Sequence, residues 1–171
     1  IFKQINESLV NAKVIAEDLG YLTETVVELL RQTGYPGMKV LQFAFDSREA
    51  SDYLPHNYTQ NCVVYTGTHD NDTVKGWYRA ICPEDKALCN DYLNIQPEDE
   101  ENIHWHMIRA ALSSVAKLAV IPIQDYLGLG SEARINTPST LGNNWHWRLY
   151  SNELDSNLAQ RVEHMTKLYG R

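Results

Sequence analysis

Only three cysteines, Cys62, Cys82 and Cys89, occur in 171 residues. An odd count at scattered spacing builds neither a disulfide framework nor a zinc site. No run of about 18 apolar residues exists, which excludes a membrane-spanning helix. Basic residues are outnumbered, 15 Lys+Arg against 22 Asp+Glu, leaving a formal net charge of −7. Nucleic-acid binders concentrate Lys and Arg, so no phosphate-binding surface is expected. The opening IFKQINESLV lacks the basic and apolar regions of a signal peptide and reads as the inside of a helix rather than a natural N-terminus. A cytoplasmic setting is the expectation. Gly128 and Gly130 are closely spaced, but no third Gly completes a dinucleotide fingerprint and no Gly-Lys-Ser/Thr makes a P-loop.

What is present is an alternation of apolar runs and amphipathic stretches. Val14-Ile15-Ala16 reads as a buried parallel strand ending in Glu17-Asp18-Leu19-Gly20. A helix follows, with Thr25 and Glu28 as a capping box and Gly34 and Pro36 as its stop. Further strands are expected over 38–45, in Cys62-Val63-Val64-Tyr65-Thr66 and over 118–123. Helices are expected over about 84–93 and 101–117, and in the tail, where Leu154, Leu158, Val162, Met165 and Tyr169 share one face. The 101–117 helix carries two apolar stripes and should pack on two sides. Alternation of this kind predicts an α/β fold, with parallel strands forming a small open sheet or half of an eight-stranded barrel.

Polar residues cluster where each strand ends, which is where α/β folds of either type build their sites. Glu17 and Asp18 follow the first strand, Asp46 the second, and His69, Asp70 and Asp72 the third. Carboxylates at strand mouths suit acid–base work or stabilisation of a cationic transition state. Metal ligation by His69, Asp70 and Asp72 is the competing reading, and helix capping the plain one. Trp145 and Trp147, near Asn136, Asn143 and Asn144, suit sugar binding through aromatic faces and amides, or else ordinary packing. His104 and His106, two apart on a helix, face different ways and read as surface or packing residues. The acidic stretch 98–101 reads as a helix N-terminus.

Several strings, in order, resemble the 4-α-glucanotransferases (amylomaltase or disproportionating enzyme) of glycoside hydrolase family seventy-seven. They are Val14-Ile15-Ala16-Glu17-Asp18-Leu19-Gly20, Pro36-Gly37-Met38-Lys39-Val40-Leu41-Gln42-Phe43-Ala44-Phe45 and Thr66-Gly67-Thr68-His69-Asp70-Asn71-Asp72-Thr73. Asp125-Tyr126-Leu127-Gly128-Leu129-Gly130, Glu132-Ala133-Arg134 with Asn136, and Asn144-Trp145 with Trp147-Arg148 complete the set. The resemblance implies a (β/α)8 TIM barrel, of which residues 1–171 would form the C-terminal half, strands five to eight with their helices. It implies transfer of an α-1,4-glucan segment to the 4-hydroxyl of a glucose or maltodextrin acceptor by a retaining double displacement, with no metal or organic cofactor. By the same resemblance Glu17 is the general acid/base and Asp70 the transition-state-stabilising carboxylate. His69, Asp46, Asn136 and Arg134 fall at substrate-contacting positions.

The family's nucleophile, an Asp in an Arg-x-Asp-His motif, has no counterpart among these residues. The chain is therefore expected to be inactive alone. An α-amylase-type hydrolase portion, passing the sugar to water, and a non-catalytic glucan-binding fragment are the alternatives. Product reducing ends separate the first, and binding without turnover marks the second. Because Glu17 must be protonated in one step and ionised in the next, a partly buried setting is expected for it. Exposed half-barrel edges would favour a homo-oligomer, which light scattering would contradict by showing a clean monomer at high concentration.

Overall fold

A computed structural model describes every residue except Ile1, Val10, Asn11 and Tyr21, with Asn6 described through its backbone alone. At its centre is a three-stranded parallel sheet in the order β1-β2-β3: β1 at Gly37–Val40, β2 at Cys62–Tyr65 and β3 at Leu118–Val120. Gly37 faces Cys62 across the first ladder, and Val63 faces Leu118 across the second. The continuous apolar run of β2 is buried as parallel strands require: Cys62, Val63 and Val64 are nearly inaccessible.

Helices α1 (Phe2–Ser8) and α2 (Glu24–Thr33) precede the sheet. Between β2 and β3 run α3 (Val74–Ala80), α4 (Pro83–Leu93) and α5 (Ile103–Ser113), and α6 (Ile123–Tyr126) and α7 (Ser156–Leu168) follow β3. As its two stripes predict, α5 is packed on two sides. Ile103, Met107 and Ala111 join Leu41, Phe45, Val64, Val74 and Tyr78 in one core, while Trp105, Ile108 and Leu112 meet Met165, Leu158 and Val162 of α7 in another. Each fully buried aliphatic side chain contributes about 1.5–3 kcal/mol. The Arg161 guanidinium lies 3.7 Å over the Trp105 ring, adding a cation–π contact to the α5–α7 seam.

Several sequence expectations give way. Val14-Ile15-Ala16 is not a strand: a single backbone bond, Ala16 N–H to the carbonyl of Pro36 just before β1, ties it to the sheet edge. The Met38 N–H is taken instead by the Asp18 carboxylate at 2.6 Å, so the ladder does not propagate. The second strand stops at Val40, and Leu41–Phe43 tightens into a 3-10 turn. Thr25 and Glu28 form no capping box. Thr23 is the N-cap, and Glu28 bonds Arg31 and Gln32 within the helix. The helix does end at Gly34, whose φ of 68° places it in the left-handed region. The fourth strand ends at Val120 and the chain turns helical at Ile123. The acidic stretch forms a 3-10 turn, Pro97–Asn102, whose acids form ion pairs: Asp99 with His106, Glu100 with Lys86, and Glu101 with Lys75 and Arg79.

Many apolar side chains stay exposed, among them Val26, Val27 and Leu29 on α2 and Leu118 and Val120 on β3. Among the described residues no helix is long and apolar enough to cross a membrane.

Candidate active site

The carboxyl ends of the strands open into one cleft of about 1500 Å³. That exceeds the roughly 300–1,000 Å³ of ordinary small-ligand sites, so more than one sugar-sized group fits. Four chain segments supply most of its walls. Ile15, Glu17 and Leu19 supply one, Gln42, Phe43 and Asp46 a second, residues 67–73 a third, and residues 120–125 with Ala133, Arg134 and Ile135 the fourth.

Residues 66–73 form the loop from β2 to α3. Its tip is a tight turn in which the Asn71 side-chain carbonyl accepts from both the Thr68 N–H and the Thr68 hydroxyl at 2.8 Å, while Asn71 N–H returns to the Thr68 carbonyl. His69 and Asp70 occupy the two central positions, so both side chains are presented outward. Gly67 allows the close approach this needs: a Cβ there would lie 2.6 Å from the Gln42 amide nitrogen, which donates to the Asp72 carbonyl. Thr73 caps α3 by accepting from Gly76 N–H.

Asp70 Oδ1 accepts from the Asn136 amide at 2.6 Å and lies 3.3 Å from His69 Nε2. Arg134 donates to the Asp70 and Asn136 carbonyls, at 2.8 and 2.9 Å, and so fixes Asn136 against Asp70. Asn136 and Arg134, expected at substrate-contacting positions, thus bind the Asp70 loop itself. The His69 ring is capped by Trp145, centroids 5.2 Å apart. Trp145 holds a φ of 67°, unusual for a bulky residue, with its N–H on the Ile135 carbonyl.

Asp46 is gripped by Arg48 through both carboxylate oxygens, at 2.8 and 2.6 Å, and that pairing lowers its pKa to about 2. It faces the cleft as an ionised group. Glu17 also faces the cleft but is exposed rather than partly buried, lying between Ala16 and Asp18, whose bonds to the Pro36 carbonyl and the Met38 N–H hold the segment to the sheet edge. The competing metal reading finds no support: among the described residues no three His, Cys, Asp or Glu side chains converge on a possible ion position. His104 is buried and burial lowers its pKa to about 4, as fits a neutral packing residue. The three cysteines are free, with Cys62 and Cys89 buried.

Sequence reasoning assigned no role to Asp125, although it lies in the cleft wall and is 2% exposed. It accepts from the Thr66 hydroxyl at 2.5 Å and from Val74 N–H at 2.8 Å. Burial raises its pKa to about 6, and the nearby Asp72 charge adds to the rise against these two donors. The strand-end rule that singled out Glu17, Asp46 and Asp70 applies equally after β3 and would have found it.

A "4-alpha-glucanotransferase" of Clostridium butyricum is 48% identical over 172 residues, covering 100% of this chain and 35% of that protein. The "4-alpha-glucanotransferase, chloroplastic/amyloplastic" of Solanum tuberosum is 47% identical over 175 residues, covering 100% and 30%. Among solved structures, "Amylomaltase from Streptococcus agalactiae in complex with acarbose" superposes with a TM-score of 0.92 at 36% identity, covering 99% of this chain and 34% of that one. The chain thus spans about a third of the length of the relatives it matches. The family profile described as 4-alpha-glucanotransferase matches residues 1–153, and this chain belongs to that family.

Proposed function

We propose that this chain carries the acid–base and charge-stabilising part of a 4-α-glucanotransferase site acting on α-1,4-glucans. The observation that carries the reading is that Glu17 and Asp70, from segments more than fifty residues apart, line the same cleft at the strand ends. In this reading the sheet and the Val14-Ile15-Ala16 run before it are the second half of a (β/α)8 barrel, strands five to eight, and residues 1–171 form one portion of that barrel. The close superposition on an amylomaltase over a third of its length supports it.

The chemistry runs in two displacements. Glu17 protonates the glycosidic oxygen as the anomeric C–O bond breaks, and a carboxylate nucleophile takes the glucosyl group. Ionised Glu17 then removes the proton from the 4-hydroxyl of an acceptor sugar, whose oxygen displaces the enzyme carboxylate. Asp70 accepts hydrogen bonds from ring hydroxyls that strengthen as the oxocarbenium-like state develops. Holding Asp70 with Asn136 and Arg134 fixes its orientation before substrate arrives, which lowers the reorganisation needed during the reaction. His69, under Trp145, contacts the donor sugar, and ionised Asp46 accepts from a hydroxyl further along the cleft. The nucleophile's Arg-x-Asp-His motif is not among these residues, so the chain binds glucan without turning it over. Exposed apolar side chains on α2 and β3 favour self-association. A cytoplasmic setting agrees with three free thiols, whereas the potato relative is named for plastids.

Calorimetric titration with acarbose, the ligand of the Streptococcus agalactiae structure, tests the reading. Saturable binding is expected, weakened about tenfold or more by Asp70→Ala, since hydrogen bonds to a charged group contribute about 1.5–3 kcal/mol. Absence of binding at millimolar acarbose, or equal binding by Asp70→Ala, would overturn it.

A further inference from the structure

We propose that Asp125 is a positioning residue that clasps both ends of the loop presenting His69 and Asp70. The inference rests on the glucan reading for its consequence in sugar binding, but the clasp itself is visible in the geometry. Oδ2 accepts from Thr66, the first residue after β2, and Oδ1 accepts from Val74, the first residue of α3. One carboxylate therefore fixes the start and the end of the loop at a separation set by its own width. All three partners are essentially inaccessible to solvent, so water cannot replace either bond if one is lost.

The rest of the loop makes this placement consequential. The Thr68–Asn71 turn is closed by its own hydrogen bonds, and these open more readily if the loop ends are free. The segment that follows Asp125 meets the same loop. From that segment Ser131 donates to Asp72, Arg134 to the Asp70 carbonyl and Asn136 to the Asp70 carboxylate. These contacts sit nearer the surface than the clasp beneath them. Asp125 is thus the buried anchor through which two neighbouring strand ends share one arrangement. It acts on the sugar through Asp70, not by touching it. Among the described residues the one charged group that acts on it electrostatically is Asp72.

The test compares Asp125→Ala, Asp125→Asn and the unaltered chain by amide hydrogen exchange and acarbose titration. Asn preserves both links: its carbonyl accepts from Val74 N–H and its NH2 donates to the Thr66 hydroxyl. In Asp125→Ala, exchange of the Thr68 and Asn71 amides is expected to rise about tenfold or more relative to those of β2, with acarbose affinity falling by a similar factor. In Asp125→Asn both should stay within about threefold of the unaltered chain. Unchanged loop exchange in Asp125→Ala would overturn the proposal. So would uniform acceleration across sheet and loop, or a failure of Asn to rescue, since each marks ordinary core packing. Where Asp125→Ala does not fold, Thr66→Val removes one link alone, and an intermediate rise confined to the loop is expected, no rise overturning the clasp. If the unaltered chain does not bind acarbose, the glucan reading fails while loop exchange still decides the clasp.

Discussion

Incubated with maltotriose, the 171-residue chain is expected to release neither glucose nor longer maltodextrins. The reaction proposed for its cleft splits one difficult substitution into two, and the split requires a carboxylate that forms a covalent bond to the sugar. Glu17 and Asp70 can donate a proton and stabilise charge, but neither replaces that bond. Groups that act as a unit lose nearly all their effect when one is absent, by about 10⁴-fold or more in other hydrolytic enzymes. Chromatography of the sugars over a day therefore shows maltotriose unchanged. Robust disproportionation would mean that another residue of this chain attacks the sugar, and the assigned roles would have to be redrawn.

Replacing Asp125 with Asn is expected to stabilise the chain at neutral pH. The folded-state pKa of Asp125 lies at about 6 against an ordinary value of 3.8, chiefly because its charge is desolvated. The folded protein thus holds this proton where the unfolded chain has lost it. Stability from the group is present below about pH 4 and is lost as pH rises to about 6. A shift of that size corresponds to about 3 kcal/mol, an upper figure because the Thr66 and Val74 bonds adjust as the charge forms. Asn carries no charge at any pH and keeps both links. Urea unfolding from pH 4 to pH 8 should show the variant gaining over the unaltered chain as pH rises, with the two converging in acid. A gain that grows toward acid, or none at any pH, would contradict the burial-driven shift. Stability and placement are separate readouts here, since Asn raises the first while leaving the loop arrangement intact.

The elements legible in the sequence are those whose pattern and surroundings agree. Cys62–Tyr65 is apolar throughout and lies between two strands; Gly34 ends its helix because only glycine takes a φ of 68° at little cost. The tail spacing from Leu158 to Met165 points one face at Trp105 and Ile108. Val14-Ile15-Ala16 carries the same apolar signature, yet it makes one ladder bond because Asp18 claims the next donor. Thr25 and Glu28 have capping-box spacing, but Arg31 and Gln32 compete for the same carboxylate. The short helix α3 escaped notice because seven residues with Gly76 inside give little periodicity. At the site, the strand-end rule and the family motifs drew attention to Glu17, Asp46, His69 and Asp70. They could not show that Asn136 and Arg134 spend their donors on the Asp70 loop, because those contacts span more than sixty positions.

A crystal structure of this chain with acarbose bound tests most directly whether the two acids serve one substrate. The account predicts the inhibitor lying along the cleft, with the Glu17 carboxyl at a linking atom between two rings and Asp70 bonded to hydroxyls of one of those same rings. Acarbose seated elsewhere on the surface, or in the cleft with either acid turned away from it, would contradict that claim.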